Sequence, residues 1–313
     1  MTATDGWFAA GDPEDEESLV DTIHEDEDRF IESIRDGRAE EPRDWPTLAV
    51  DAGFAADEDD YYDALHGVTV AAASAVVAQR EGADDRQLVH AVRAMDDCRR
   101  TANELAERVA EWGGTLDPDA GTGIEYAGEL ATREPATRDA VSETDRDAGV
   151  HLEPVRSLAT HVVALAAEAD RLEALLEDRT PAVAPNLAAL AGPVLAARLI
   201  SLAGGLESLA KKPSGTIQVL GAEDALFAHL RGHAPSPKHG VIYTHEAIQT
   251  THPDDRGSAA RALAGKLAIA ARIDHYSGEP RPELEVELRE RIETIQSRTT
   301  EGDGSEGTNG GER

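Results

Sequence analysis

Lysine is almost absent from this chain. Four lysines occur in 313 residues, Lys211, Lys212, Lys238 and Lys266, all within one 56-residue stretch, and elsewhere the positive charge is arginine alone. Cysteine is rarer still: Cys98 stands by itself, so an intramolecular disulfide is excluded, and its helical surroundings read as a small buried apolar residue in a reducing or indifferent compartment. Aromatic residues make up 4%. The N-terminus offers Asp, Glu and Gly where a secretory leader needs an apolar core, and the longest weakly polar run, 187–205, is interrupted by Pro193 and Arg198. A buried helix and a cytoplasmic protein without membrane contact are expected. No Walker loop, dinucleotide glycine pattern, nucleophile elbow or paired-cysteine motif occurs, which leaves no recognisable enzyme chemistry and implies no cofactor. His229 and His233 have the four-residue spacing of a helical metal site, with His239 and His245 downstream. Gly232 lies between the first two and Pro235 and Pro237 follow, so the helix is expected to end first, leaving contact histidines and no metal.

Acid is abundant. Asp and Glu number 62 against 30 Lys and Arg, a formal net charge of -32. On that figure alone, binding of nucleic acid by phosphate neutralisation looks excluded. An acidic, lysine-poor surface with few aromatics is what a cytoplasm holding molar salt favours, so the composition reads as haloarchaeal-like solvent adaptation. The charge is also uneven. Residues 181–281 hold ten Lys or Arg against eight Asp or Glu, a net of +2, leaving -34 on the remainder.

Periodicity divides the chain further. Residues 1–60 are acidic and weakly patterned, with short apolar pieces at Trp7, Phe8, Ala9 and at Leu48, Ala49, Val50, and one helix suggested by Leu19, Ile23, Phe30, Ile31 and Ile34. A small α+β module is expected. Asp57, Glu58, Asp59 and Asp60 read as a solvated loop or helix start. A clear helix spans 85–111, with Leu88, Val92, Met95, Leu105 and Val109 on one side and Gly113 and Gly114 as its expected end. Downstream, Val155, Leu158, Val162, Leu165, Ala169, Leu172 and Leu176 are spaced 3, 4, 3, 4, 3, 4, the a/d seam of three heptads. That helix needs a partner, supplied by 124–143 folding back or by a second chain. The tail from Glu301 is glycine-rich and acidic, and is expected to be disordered.

Within 211–272, the apolar run 216–220 ends at Gly221 and a helical pattern resumes from Ala222, leaving backbone N–H groups that could approach a phosphate. The loop 231–240, opening at Arg231, holds Lys238 and His239 between Pro237 and Gly240, placed to present a basic or stacking side chain. A helix over 257–276 sets Arg261 and Arg272 about 20° apart around its axis and about 16 Å along it, with Lys266 about 140° from Arg261.

These residues resemble a known family. The pieces Ala184, Pro185, Asn186, Leu187; Arg198, Leu199, Ile200; Ala203, Gly204, Gly205; 216–223 (TIQVLGAE); Ala225, Leu226, Phe227; 237–243 (PKHGVIY) and 261–274 (RALAGKLAIAARID) are similar, in order, to the Nop domain of archaeal homologues of the nucleolar core proteins of box C/D small ribonucleoproteins. Asn103, Glu104, Arg108, Glu111 and Trp112 resemble the helix that precedes that family's coiled coil, and the seam at 155–176 falls where the family dimerises.

The resemblance implies a mainly α chain: a small α+β N-terminal module within 1–118, an antiparallel coiled coil in 119–180, an all-α Nop domain in 181–285, and a closing helix with its tail in 286–313. It implies a non-catalytic scaffold for RNA-guided ribose 2'-O-methylation of rRNA or tRNA. Its partners would be fibrillarin, a box C/D guide RNA, a kink-turn-binding protein of ribosomal type and a second copy of itself. Carried over by position, Gly221, Ala222 and Glu223 lie against bent RNA, Arg231, Lys238 and His239 contact or stack on it, and Arg256, Arg261, Lys266 and Arg272 support the surface. Val155, Leu158, Val162, Leu165, Leu172 and Leu176 form the dimer seam. The chain departs from the family at Asp224, where lysine is usual, at 112–118 (WGGTLDP), and in an N-terminus without a clear strand pattern. A structural coiled-coil dimer that has lost RNA binding is the alternative.

Overall fold

The computed structural model describes residues 6–10, 27–37, 43–116, 119–133 and 143–303. These form two compact units, Met1–Ala83 and Asp84–Arg313. The expected helical residues Leu19 and Ile23, the segment around Pro135 and the tail from 304 lie outside the described residues; Glu301 to Asp303 end the last helix.

In the first unit the described residues are helical and contain no strand, where an α+β module was expected. Trp7–Ala10 is a 3-10 turn, followed by α1 (Glu27–Asp36), α2 (Trp45–Asp51) and α3 (Glu58–Glu81). Leu48, Ala49 and Val50 belong to α2, because Asp44 accepts from the Thr47 N–H and Pro46 pre-sets the first turn. The acidic run is the start of α3: Asp57 accepts from the Asp60 N–H and Asp60 from the Ala56 N–H, 2.9 Å each. Trp7 joins these helices, edge-on to Phe54 with ring centroids 5.2 Å apart and donating from Nε1 to the Tyr61 hydroxyl at 3.1 Å.

The second unit opens with α4 (Asp84–Leu116), which runs through Gly113 and Gly114 rather than ending there. Gly113 is buried, and a Cβ on it would lie 2.5 Å from the Tyr126 hydroxyl. It is a site of close approach for α5 (Gly123–Thr132) and not a helix terminator. The periodic helix is α6 (Glu143–Val183), 41 residues long and antiparallel to α4. Val155, Ala159 and Val162 pack with Ala102, Ala106 and Val109 of α4 and with Ala127 and Leu130 of α5. Ala169 and Leu176 join a larger core with Leu88, Val92 and Met95, and Arg99 pairs with Glu173 across the hairpin. The partner of the seam is thus chiefly α4 of the same chain, with α5 alongside. Val155, Val162 and Leu176 are fully buried within one chain, so their assignment to a two-chain interface is corrected, while Leu158, Leu165 and Leu172 are partly buried in the same hairpin.

The run 187–205 folds as α7 (Pro185–Ala191) and α8 (Pro193–Ala203), bent by 116° at Gly192 and largely buried. Among the described residues no single helix is long and apolar enough to cross a membrane. Then come α9 (Leu206–Lys211), α10 (Ser214–Val219), α11 (Glu223–Leu230), a 3-10 turn (Val241–Thr244), α12 (Glu246–Gln249), α13 (Arg256–Tyr276) and α14 (Glu283–Asp303).

Alanine-rich α13 is the axis of this region, burying Ala259, Ala260, Leu263, Ala264, Leu267, Ala268, Ala270 and Ala271. Small side chains let the short helices pack closely around it. Buried Asp274 near its end accepts from the Asn186 and Leu187 N–H groups, at 3.0 and 2.9 Å, and from Asn186 Nδ2 at 2.6 Å, capping α7. Arginines and acids of α4 hold the other side. Asp85 accepts from the Leu206 N–H at 2.8 Å, Arg93 donates to Ser201, and Arg198 pairs with Asp96.

Candidate nucleic-acid interface

The surface begins with the strap that follows α11. Gly240 donates to the Gln218 carbonyl at 2.8 Å, Val241 donates to the Leu220 carbonyl at 2.7 Å, and Gln218 Nε2 donates to the Lys238 carbonyl at 2.7 Å. These bonds pin Lys238 and His239 against the end of α10. Only glycine fits at 240, because a Cβ there would sit 2.0 Å from the Leu220 oxygen.

His239 stacks on Tyr243 with ring centroids 4.5 Å apart and planes 20° from parallel, and the Arg256 guanidinium lies 5.6 Å from the Tyr243 centroid. Burial lowers the pKa of His239 from the ordinary histidine value, with Arg256 and then Lys238 adding to the shift. The neutral imidazole is therefore the favoured form. Arg256 is also oriented by donating to the Thr251 and Gln249 carbonyls, at 3.2 and 3.4 Å. The Lys238 stem runs past Gly257, whose added Cβ would meet it at 3.8 Å, and Arg261 lies one turn further along α13, exposed. Lys238, His239, Arg256 and Arg261 thus come together as the sequence suggested.

Other assigned residues take different roles. Lys266 is ion-paired with Glu287 of α14, so its charge is matched by a carboxylate of the same chain. Arg272 lies at the far end of α13, donating to the Lys212 carbonyl at 3.3 Å. Arg231 is exposed at the end of α11. Gly221 has a φ of 80°, and its N–H donates to Glu223 Oε1 at 2.9 Å. Glu223 and Asp224 both lie in the first turn, and no side chain caps the helix start itself. At the backbone site expected at Gly221, Ala222 and Glu223, the Gly221 N–H is taken up by Glu223, and the two acids of the first turn oppose a phosphate there.

α11 buries none of its side chains, and Phe227 and Leu230 are exposed. Gly232, with a φ of 76°, turns the chain after α11, so His229 and His233 do not share a helix face; His229 Nδ1 bonds the Ala234 carbonyl. Among the described residues no cluster of His, Cys, Asp and Glu could hold a metal ion. Tyr243 and Lys212 complete the surface. Tyr243 lies four residues after His239 in the segment PKHGVIY, and Lys212 is one of the four lysines, but no periodicity marks either as a partner of Arg256 or Arg272.

Of the ten cations in 181–281, four are neutralised by acids: Arg198, Lys211, Lys266 and Arg281 pair with Asp96, Glu207, Glu287 and Glu279. Among the described residues no carboxylate is ion-paired with Lys212, Arg231, Lys238, Arg256, Arg261 or Arg272. In a chain with twice as many acids as bases, these six cations stand outside salt bridges and so keep their donors for another partner.

The sequence profile of the Nop family, described as snoRNA binding domain, fibrillarin, matches residues 117–297. An uncharacterised NOP5 family protein of Methanocaldococcus jannaschii is 35% identical over 268 residues, covering 78% of this chain and 65% of that protein. Nucleolar protein 58 of Scheffersomyces stipitis is 34% identical over 239 residues, covering 67% of this chain and 46% of that protein. The chain therefore spans about half to two thirds of the length of these relatives. A chain from a crystal structure of a fibrillarin/Nop5p complex aligns over 85% of this chain and 91% of its own length at 27% identity, with a TM-score of 0.43, too loose a likeness to position any element. With the profile covering more than half of its residues and a relative at 35% identity over most of its length, the chain belongs to the Nop family.

Proposed function

We propose that this chain is a non-catalytic core scaffold of a box C/D guide ribonucleoprotein that directs ribose 2'-O-methylation of rRNA or tRNA. The observation that carries the reading is the set of uncompensated cations around the Gly240 strap, with the His239–Tyr243 stack among them. Planar rings and guanidinium groups held rigidly beside point charges suit unstacked bases and phosphates of a bent RNA. Family membership and the fibrillarin wording of the matched profile support recruitment of that methyltransferase. The exposed Phe227 and Leu230 of α11 offer an apolar face that suits a kink-turn-binding protein of ribosomal type. Self-association of the α4–α6 hairpin belongs to the same reading, through side chains outside the seam such as exposed Trp112 and Val163. The composition suits a cytoplasm rich in salt, where shape, stacking and a protein co-partner contribute more than counterion release.

A second reading, a structural protein of the same fold without RNA binding, is favoured by one observation: Glu223, which takes up the Gly221 N–H, and Asp224 put two carboxylates in the first turn of α11. Gel shifts in molar KCl separate the two. A box C/D guide with the kink-turn-binding protein is supershifted by this chain on the first reading. Absence of the ternary band establishes the second.

A further inference from the structure

The charge pattern on α10 and α13 extends beyond the strap. The 15 residues 208–222 and the 18 residues 256–273 contain no Asp or Glu, although the chain-wide frequency of 62 in 313 would place roughly six there. The same segments carry six Lys or Arg. The two helices are antiparallel neighbours: the Gln218 end of α10 reaches the Lys238 strap beside Gly257, and the residues preceding α10 reach Arg272. Between these ends α10 exposes Ser214, Gly215 and Thr216, small or hydroxylated residues that leave the surface low.

The uncompensated cations are therefore grouped at two poles. Lys238, Arg256 and Arg261 form one, and Lys212 with Arg272 the other, with about 16 Å between Arg261 and Arg272 along α13. Lys211, next to the second pole, is taken up by Glu207, and Lys266 by Glu287. Glu207 and Glu287, beside these cations, are thus already engaged by Lys211 and Lys266.

We infer that the α10–α13 face is a two-pole phosphate track, and that Lys212 and Arg272 hold RNA backbone beyond the nucleotides that meet His239 and Lys238. This rests on the RNA-binding reading above and deepens it. A strand crossing the acid-free face meets hydroxyls of Ser214 and Thr216 between the poles, so its route follows α10 and avoids the carboxylates at the start of α11. At this end of α13 the rings of His275 and Tyr276 meet edge-on rather than stacked, and the contribution assigned to Lys212 and Arg272 is that of charge on phosphate.

The test is salt-dependent binding of the full chain, with the kink-turn-binding protein, to a box C/D guide RNA with long flanking stems and to the same guide with its stems cut back to the kink. For the long RNA, Lys212→Gln is expected to reduce the slope of log Kd against log[KCl] by about 0.7–0.9, the loss of one phosphate contact, and Lys212→Arg to restore it. On the short RNA the variant and the wild type are expected to give equal slopes. Circular dichroism of Lys212→Gln checks that the partly exposed substitution leaves the fold intact. If the wild type binds the long RNA and Lys212→Gln keeps its full slope, the track is overturned while the RNA reading stands. If the wild type binds neither RNA, both fall.

Discussion

Replacing Gly240 with alanine tests how the interface is held. The residue has a negative φ, and the case against alanine rests on the space its methyl group would need. A Cβ would lie 2.0 Å from the Leu220 oxygen and 2.7 Å from the Val219 carbonyl carbon, and both are backbone atoms that cannot rotate away. Relief requires the strap to move by more than an ångström. That movement breaks the Gly240 bond to Gln218 and the Val241 bond to Leu220, each worth about 0.5–1.5 kcal/mol net. The stability loss is therefore about 1–3 kcal/mol, or roughly 2–12 °C in Tm for a unit of this size. Guide-RNA binding is expected to fall further than stability, because Lys238 and His239 ride on the displaced strap. Thermal melts by circular dichroism and the ternary gel shift measure the two effects. A variant that melts with the wild type and still gives a full ternary shift refutes the claim that the glycine positions the surface.

Three further predictions follow the same packing logic. Gly113→Ala, whose Cβ meets the Tyr126 hydroxyl at 2.5 Å, is expected to lower Tm, whereas Gly114→Ala, which meets nothing within 4 Å in the same helix, is expected to gain up to about 1 kcal/mol of helix propensity; equal melts contradict the packing role of Gly113. Val162→Asp places a charge at a fully buried site of the α4–α6 hairpin and is expected to unfold that hairpin in the monomer, by about 3 kcal/mol or more; a variant that keeps full helicity and only dissociates restores the seam to a two-chain interface. The depressed pKa of His239 makes its contribution present above the ordinary histidine pKa and lost as pH falls through the lowered value. Arg256→Gln is therefore expected to raise that pKa in an NMR titration, and an unchanged midpoint removes Arg256 as a cause.

The elements most legible in the sequence were those set by local pattern. Helices over 85–111 and 155–176 follow from their apolar periodicity, and the placing of Lys238 and His239 follows from the proline and glycine that bracket them. What periodicity could not say is which surface covers a seam. The same a/d spacing serves α4 of one chain or a helix of another, and only packing against Ala102, Ala106 and Val109 decides it. Gly113 misled for a related reason: glycine ends helices and also admits a neighbour, and the neighbour, Tyr126, is remote in sequence. Short apolar pieces near the N-terminus were read as part of an α+β module, but caps at Asp44 and Asp57 set α2 and α3. Helical spacing set Lys266 about 140° from Arg261, but its ion pair with Glu287, 21 residues on, is a tertiary fact that spacing does not show.

The central claim is that uncompensated cations beside the Gly240 strap bind a bent guide RNA despite a net charge of -32. Its most direct test is the gel shift of a box C/D guide with the kink-turn-binding protein in molar KCl, comparing the wild type with Lys238→Gln/Arg261→Gln. A ternary band with the wild type that is lost in the double variant is the predicted result. No ternary band with the wild type, or one of equal strength with the variant, contradicts it.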